Sequence, residues 1–265
     1  ICNVYLIEVY VASCSLSDKT LTIYEKKNVP AVQSSDSEIV AHSVRLRYYS
    51  GNIVFQMTNE FNISMKMSDL LGEHSSLLAV FSRMGFRFGY GDASVGDVCA
   101  GAGVDPHSFL LICKVYSQDN YIPSREDIER TDRTVIANYL RASHVYYEDV
   151  ALKELASGLS RMILPCTDET QHVIWKFFSD FKEEVHEHFK YEENVVFPNI
   201  GDNDACIQQE DHSGVEETLE DLKNLVMNYL PDKADQREAF NVLSSLSSLQ
   251  ADIHKHIFLE ETALE

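Results

Sequence analysis

Basic residues are scarce in this chain of 265 residues: 22 Lys and Arg stand against 42 Asp and Glu, a formal net charge of −20. Such a surface repels a nucleic-acid backbone and an anionic membrane surface, so neither is expected as the main partner. No apolar run reaches the length of a membrane span. The opening ICNVYLIEVYVASCS is apolar, but no basic segment precedes it and Glu8 interrupts it, so it reads as a poor signal peptide. No Cys-x-x-Cys occurs, and the six cysteines are scattered at positions 2, 14, 99, 113, 166 and 206. That spacing predicts buried or free thiols in a reducing compartment, hence a cytoplasmic location.

What is present changes character along the chain. Residues 1–62 hold runs rich in β-branched and aromatic residues, Val4–Val11, Thr20–Tyr24, Val44–Tyr49 and Ile53–Met57. Ser50-Gly51-Asn52 reads as a hairpin turn and Asn28–Ser37 as loop, which together predict a small β unit serving packing or self-association into a homodimer. Residues 67–117 read as a compact helical unit. Leu70 to Met84 predicts one helix stopping at Gly85, Ser94 caps a short helix through Cys99, and Asp105-Pro106 opens Ser108–Tyr116. Gln118–Pro123 is the expected linker, and Ser124-x-x-Asp127 resembles a capping box.

Residues 124–265 predict four long helices with short connections, hence an up-down-up-down four-helix bundle and a mainly α fold class. The second helix carries Ile174, Phe178, Phe181 and Val185, and the same phase continues to His188, Glu192 and Val195. The fourth carries Val242, Leu246, Leu249 and Ile253, followed in phase by His256 and Glu260. His186 and His254, two residues upstream of each pair, point elsewhere around the helix. On the first helix His144 lies in phase with Ile136, Leu140, Tyr147 and Ala151; on the third, His212 lies in phase with Val215 and Leu219.

In that topology His144, His188, Glu192, His212, His256 and Glu260 reach similar depth in the core. A buried imidazole beside a buried carboxylate is costly unless something pairs them, and a metal ion is one such partner. Four imidazoles and two carboxylates suffice for two ions bridged by the glutamates. Mixed nitrogen and oxygen ligation suits iron or manganese, with zinc a further option. Positions left open would take a bridging oxide or hydroxide and a small molecule. Without metal, the two carboxylates are expected to raise each other's proton affinity. Glu148, Glu216 and Glu193 are expected either to support the ligands from behind or to lie on the solvated flank, and Tyr146, Tyr147 and Tyr191 to serve packing.

These features resemble the hemerythrin-like, or HHE, cation-binding family. The resemblance is carried by His144, by His188-Phe-Lys-Tyr-Glu192-Glu193-Asn-Val-Val-Phe197-Pro198, by Asp211-His212 and by His256-Ile-Phe-Leu-Glu260-Glu261. Within that family the layout of residues 67–115 is similar to the small N-terminal domain of the RIC-type di-iron proteins. The resemblance implies a di-iron protein that handles nitric oxide or oxygen stress, or repairs damaged iron–sulfur proteins. Where such proteins carry a Cys-Cys pair, this chain has Phe88-Gly89-Tyr90-Gly91, a departure that counts against a thiol-pair function. Two other classes fit the same residues: a non-enzymatic O2 or NO binder, and an iron-sensing or storage protein whose N-terminal unit binds a partner.

Overall fold

The structure is a computed structural model that describes residues 8–15, 20–26, 39–49, 52–58, 61–200 and 212–264. The chain divides into two units, Ile1–Asn62 and Ile63–Glu265. In the first, β1 (Glu8–Ser15), β2 (Thr20–Lys26), β3 (Ile39–Tyr49) and β4 (Asn52–Thr58) are hydrogen-bonded in that order, each antiparallel to the next. The β1–β2 register slips between Val11 and Ser13. The expected loop at 28–37 and the first two residues of the expected hairpin turn lie outside the described residues.

The second unit is helical. The single helix expected up to Gly85 is instead α1 (Met67–Glu73) and α2 (Leu78–Arg83), separated at His74 by a bend and a 3₁₀ turn. Gly72, Ser75 and Ser76 cluster at that break, and their weak helix propensity lets the chain turn there. The capping box of Ser94 and Asp97 opens α3 (Val95–Ala102), which ends on Gly103 at φ +68, a left-handed position that favours glycine. The Asp105 carboxylate accepts from the Ser108 N–H and starts α4 (Pro106–Ser117). Its largely buried length packs against α2 and α3 and against the bundle. Ser124 and Asp127 form the capping box of the short α5 (Arg125–Glu129).

The bundle's first helix is α6 (Arg133–Tyr146) and α7 (Leu152–Ile163), joined without a break by a π-turn at Tyr147–Ala151. The second is α8 (Asp168–Tyr191), which runs into another π-turn at Glu192–Val196. The third and fourth are α9 (Ser213–Tyr229) and α10 (Gln236–Ala263); His212, expected on the third helix, is the N-cap residue just ahead of it. Asp132, Thr167 and Asp235 cap α6, α8 and α10 with side-chain oxygens, satisfying first-turn N–H groups that lack helical partners.

Pairings across the helices fix their directions. Asp235 N–H donates to Met162 O at 2.9 Å, so α10 begins where α7 ends. His144 near the front of the first helix meets His256 near the end of α10. Glu216 faces His254 while Glu220 faces Gln250, so α9 and α10 run antiparallel. The core between the helices is built from Leu155, Leu159, Phe178, Phe181, Leu219, Leu222, Val242 and Leu246 among others.

Both π-turns overturn part of the expected phase. Val196 and Phe197 are buried and Val195 only half so; Leu152 takes the inward place expected of Ala151. A π-turn inserts one residue into the helical ladder, so every inward position after it moves on by one.

Candidate metal centre

The six residues converge. His188, Glu192, His212 and Glu260 form one group whose donor atoms lie within 4.8 Å of one another, and His144, Glu192 and His256 form a second. Glu192 belongs to both groups and is fully buried. Its two oxygens face different ways. Oε1 lies 2.9 Å from His188 Nε2, whereas Oε2 lies 2.7 Å from His144 Nε2 and 3.9 Å from His256 Nε2. The Nε2 atoms of His144 and His256 are 3.2 Å apart, and His212 Nε2 lies 3.4 Å from Glu260 Oε2. Glu260 falls in the first group alone.

Close as they are, neither Glu192 oxygen makes an aligned hydrogen bond with an imidazole. Buried carboxylate oxygens are costly to leave so. The spacing suits a shared cation. Donors about 2.1 Å from one ion at right angles stand about 3 Å from each other. The donor set therefore fits a small transition-metal ion in each group, with Glu192 between them.

Carboxylates one residue further along support the imidazoles from behind. Glu193 Oε1 lies 3.0 Å from His144 Nδ1, and Arg141 donates to the other Glu193 oxygen at 3.0 Å. Glu261 Oε1 lies 3.3 Å from His212 Nδ1. Each Glu-Glu doublet thus offers one carboxylate to the site and one to an imidazole on a neighbouring helix. Such a partner fixes the tautomer that leaves Nε2 free to bind metal. The doublets are visible in the sequence, but the role of Glu261 was not read from them.

The expected outward residues pair among themselves. His186 Nδ1 lies 2.7 Å from Glu148 Oε1 and His254 Nδ1 3.4 Å from Glu216 Oε1, all four partly or well exposed. The arrangement repeats along the chain. His144, Glu148, His186, His188, Glu192 and Glu193 recur 68 positions later as His212, Glu216, His254, His256, Glu260 and Glu261. Thr167 and Asp235, the caps of α8 and α10, stand at the same interval.

Aromatic rings close the site on one side. Phe189 stacks on His144 with centroids 4.0 Å apart and Phe197 at 5.5 Å, while the Tyr147 ring meets His256 edge-on at 5.6 Å. Tyr147 is fully buried and packs as expected, whereas Tyr146 is exposed at the flank.

The expectation that both carboxylates would gain proton affinity holds for Glu260 alone. Burial, with the Glu192 charge nearby, pushes Glu260 up to about 7, although His212 works the other way. Burial also opposes the charge on Glu192, but His144, His188 and His256 more than offset it and hold the carboxyl well below the usual range. Three imidazoles around one carboxylate outweigh its burial. Burial pushes His256 down to about 4, so it presents a neutral imidazole. Burial opposes charge on His212 too, but Glu260 prevails and raises it.

A helical bundle with these donors inside it is a cation-binding architecture. Residues 135–265 match the family model of the hemerythrin HHE cation binding domain, and that segment contains all six converging residues. No curated protein and no solved structure matches the chain. Among the described residues, no single helix is long and apolar enough to cross a membrane.

Proposed function

We propose that the bundle binds two iron ions through His144, His188, Glu192, His212, His256 and Glu260, and that the site serves the handling of O2 or NO. The observation that carries this reading is Glu192, buried, with one oxygen toward His188 and the other toward His144 and His256. When bound, the ions would supply redox chemistry and open positions for a diatomic ligand; manganese or zinc would fit the same donors. The chain's own residues do the rest. Glu192 would bridge, with Glu260 beside it. Glu193 and Glu261 hold the Nδ1 sides of His144 and His212, and Phe189, Phe197 and Tyr147 keep water from one face.

The cellular role we propose is defence against nitrosative or oxidative stress, including repair of damaged iron–sulfur proteins, in the cytoplasm. A repair role would run through the metal site and not through a thiol pair. Cys99 and Cys113 are buried and unpaired, and burial pushes the Cys99 thiol up to about 12. The aromatic wall against His144 also favours a second reading, reversible binding of an apolar diatomic without turnover. Reduced, iron-loaded protein exposed to air separates the two: a stable oxygenated spectrum supports carriage or sensing, and irreversible oxidation supports redox chemistry. For the site itself, protein produced in iron-replete medium is expected to hold two transition-metal ions per chain, mainly iron, by elemental analysis. No transition metal, or one zinc that iron cannot displace, would sink the proposal.

A further inference from the structure

Behind His256 lies a partly buried cluster that the six converging residues do not explain. Arg83, at the end of α2, is almost fully buried and makes a two-pronged pair with Asp252, its Nη1 donating to Oδ1 at 2.9 Å and its Nη2 to Oδ2. The same Nη1 lies 3.3 Å from the Tyr139 hydroxyl and 3.3 Å from Ser143 Oγ. Tyr146 and Tyr147 offer their ring faces to the guanidinium at 4.6 and 5.1 Å. Tyr147 also donates its O–H to Asp252 Oδ1 at 3.0 Å while its ring packs on His256. Asp252 lies one helical turn before His256 on α10.

Among the described residues, the sequence repeat does not reproduce this cluster on the other side of the site. At the 68-residue interval, Asp252 corresponds to Glu184 and Tyr147 to Val215, so the phenol is not repeated at that position. Arg83 also lies outside residues 135–265, the segment that the family model covers. A fixed cation, a carboxylate and a phenol therefore stand behind the His144/His256 group, and among the described residues the corresponding positions around His188/His212 carry a carboxylate but no phenol.

We propose that Arg83 is a positioning residue for one half of the metal centre, acting through Asp252 and Tyr147 on His256. This rests on the metal reading of the site. A half-buried carboxylate that loses its cation keeps an uncompensated charge and no longer has a fixed orientation. Arg83 holds Asp252 in line with the Tyr147 hydroxyl, and the Tyr147 ring in turn packs edge-on against His256 and would fix its plane. The helical unit ahead of the bundle thereby makes the two metal positions unequal.

The test is iron titration of the full chain, followed by Mössbauer spectroscopy, for wild type, Arg83→Met, Arg83→Lys and Tyr147→Phe. In Arg83→Met, one of the two irons is expected to bind about tenfold or more weakly, the range typical when a residue supporting a ligand is lost. One iron signal should shift while the other keeps its wild-type parameters, and Arg83→Lys should recover part of the effect. A purely structural role would lower the melting temperature and leave both iron signals in place, and that result overturns the proposal. Tyr147→Phe removes only a hydroxyl, so it decides the matter if Arg83→Met does not fold: two unshifted iron signals there also overturn it. Wild type that binds no iron is a separate outcome, which removes the metal reading itself.

Discussion

At Glu260 the folded chain holds a proton more tightly than the unfolded chain does, since its value of about 7 lies above the ordinary 4.5. Its contribution to stability in the metal-free protein is therefore full below the unfolded value and is lost as pH rises through the folded one. Glu260→Gln cannot ionise and escapes that loss. Metal-free Glu260→Gln should melt close to wild type at about pH 5 and above it at about pH 8, by on the order of 1–3 kcal/mol. A gap that narrows with rising pH would contradict the assignment. Direction around the helix yields another expectation: His188→Ala and His256→Ala abolish loading of the second metal ion, while His186→Ala and His254→Ala leave it nearly intact. Metal analysis of the four variants checks this, since the latter two histidines pair with Glu148 and Glu216 at the surface. Five of the six converging residues were legible because burial on a helix follows sequence phase, whereas His212 stands one residue ahead of α9. Arg83 was not legible, because its partner Asp252 lies 169 positions away and only tertiary packing joins them.

Among the elements, the caps and the stripes follow local chemistry and could be read ahead of the structure. Ser94 with Asp97, Asp105 before Pro106 and Ser124 with Asp127 all form the caps that their residue types suggest. The π-turns could not be read this way, because nothing in YEDVA or EENVV marks an extra residue in the ladder. Both occur beside the site, one shortly after His144 and one beginning at Glu192. They set the inward direction of Leu152, Val196 and Phe197, which a strict α-helix would place elsewhere. The cap of α10 tests whether stability and the site are separable. Asp235 accepts from the N–H groups of Arg237 and Glu238, about 30 Å along the helix from His256 at about 1.5 Å per residue. Asp235→Ala should cost about 1 kcal/mol in urea unfolding and leave metal stoichiometry unchanged. A lost metal ion would show that the far end of α10 controls the site.

For the whole molecule, the repeat at 68 residues divides the bundle into two helical hairpins, the first helix with α8 and α9 with α10. Neither hairpin contains a complete donor group. His188 and Glu192 need His212 and Glu260 from the other hairpin, and His144 and Glu192 need His256. Each ion would thus act as a rivet across the seam between hairpins. Chelation should open that seam first, with faster amide exchange where α7 meets α10 and where α8 meets α9, before either hairpin unravels. Hydrogen-exchange mass spectrometry on loaded and stripped protein would show the order, and uniform loosening of all four helices would argue against it. Iron supply would then set how tightly the two halves of this chain stay joined, so that scarcity of the metal is felt as a change in mechanical cohesion before it is felt as loss of fold.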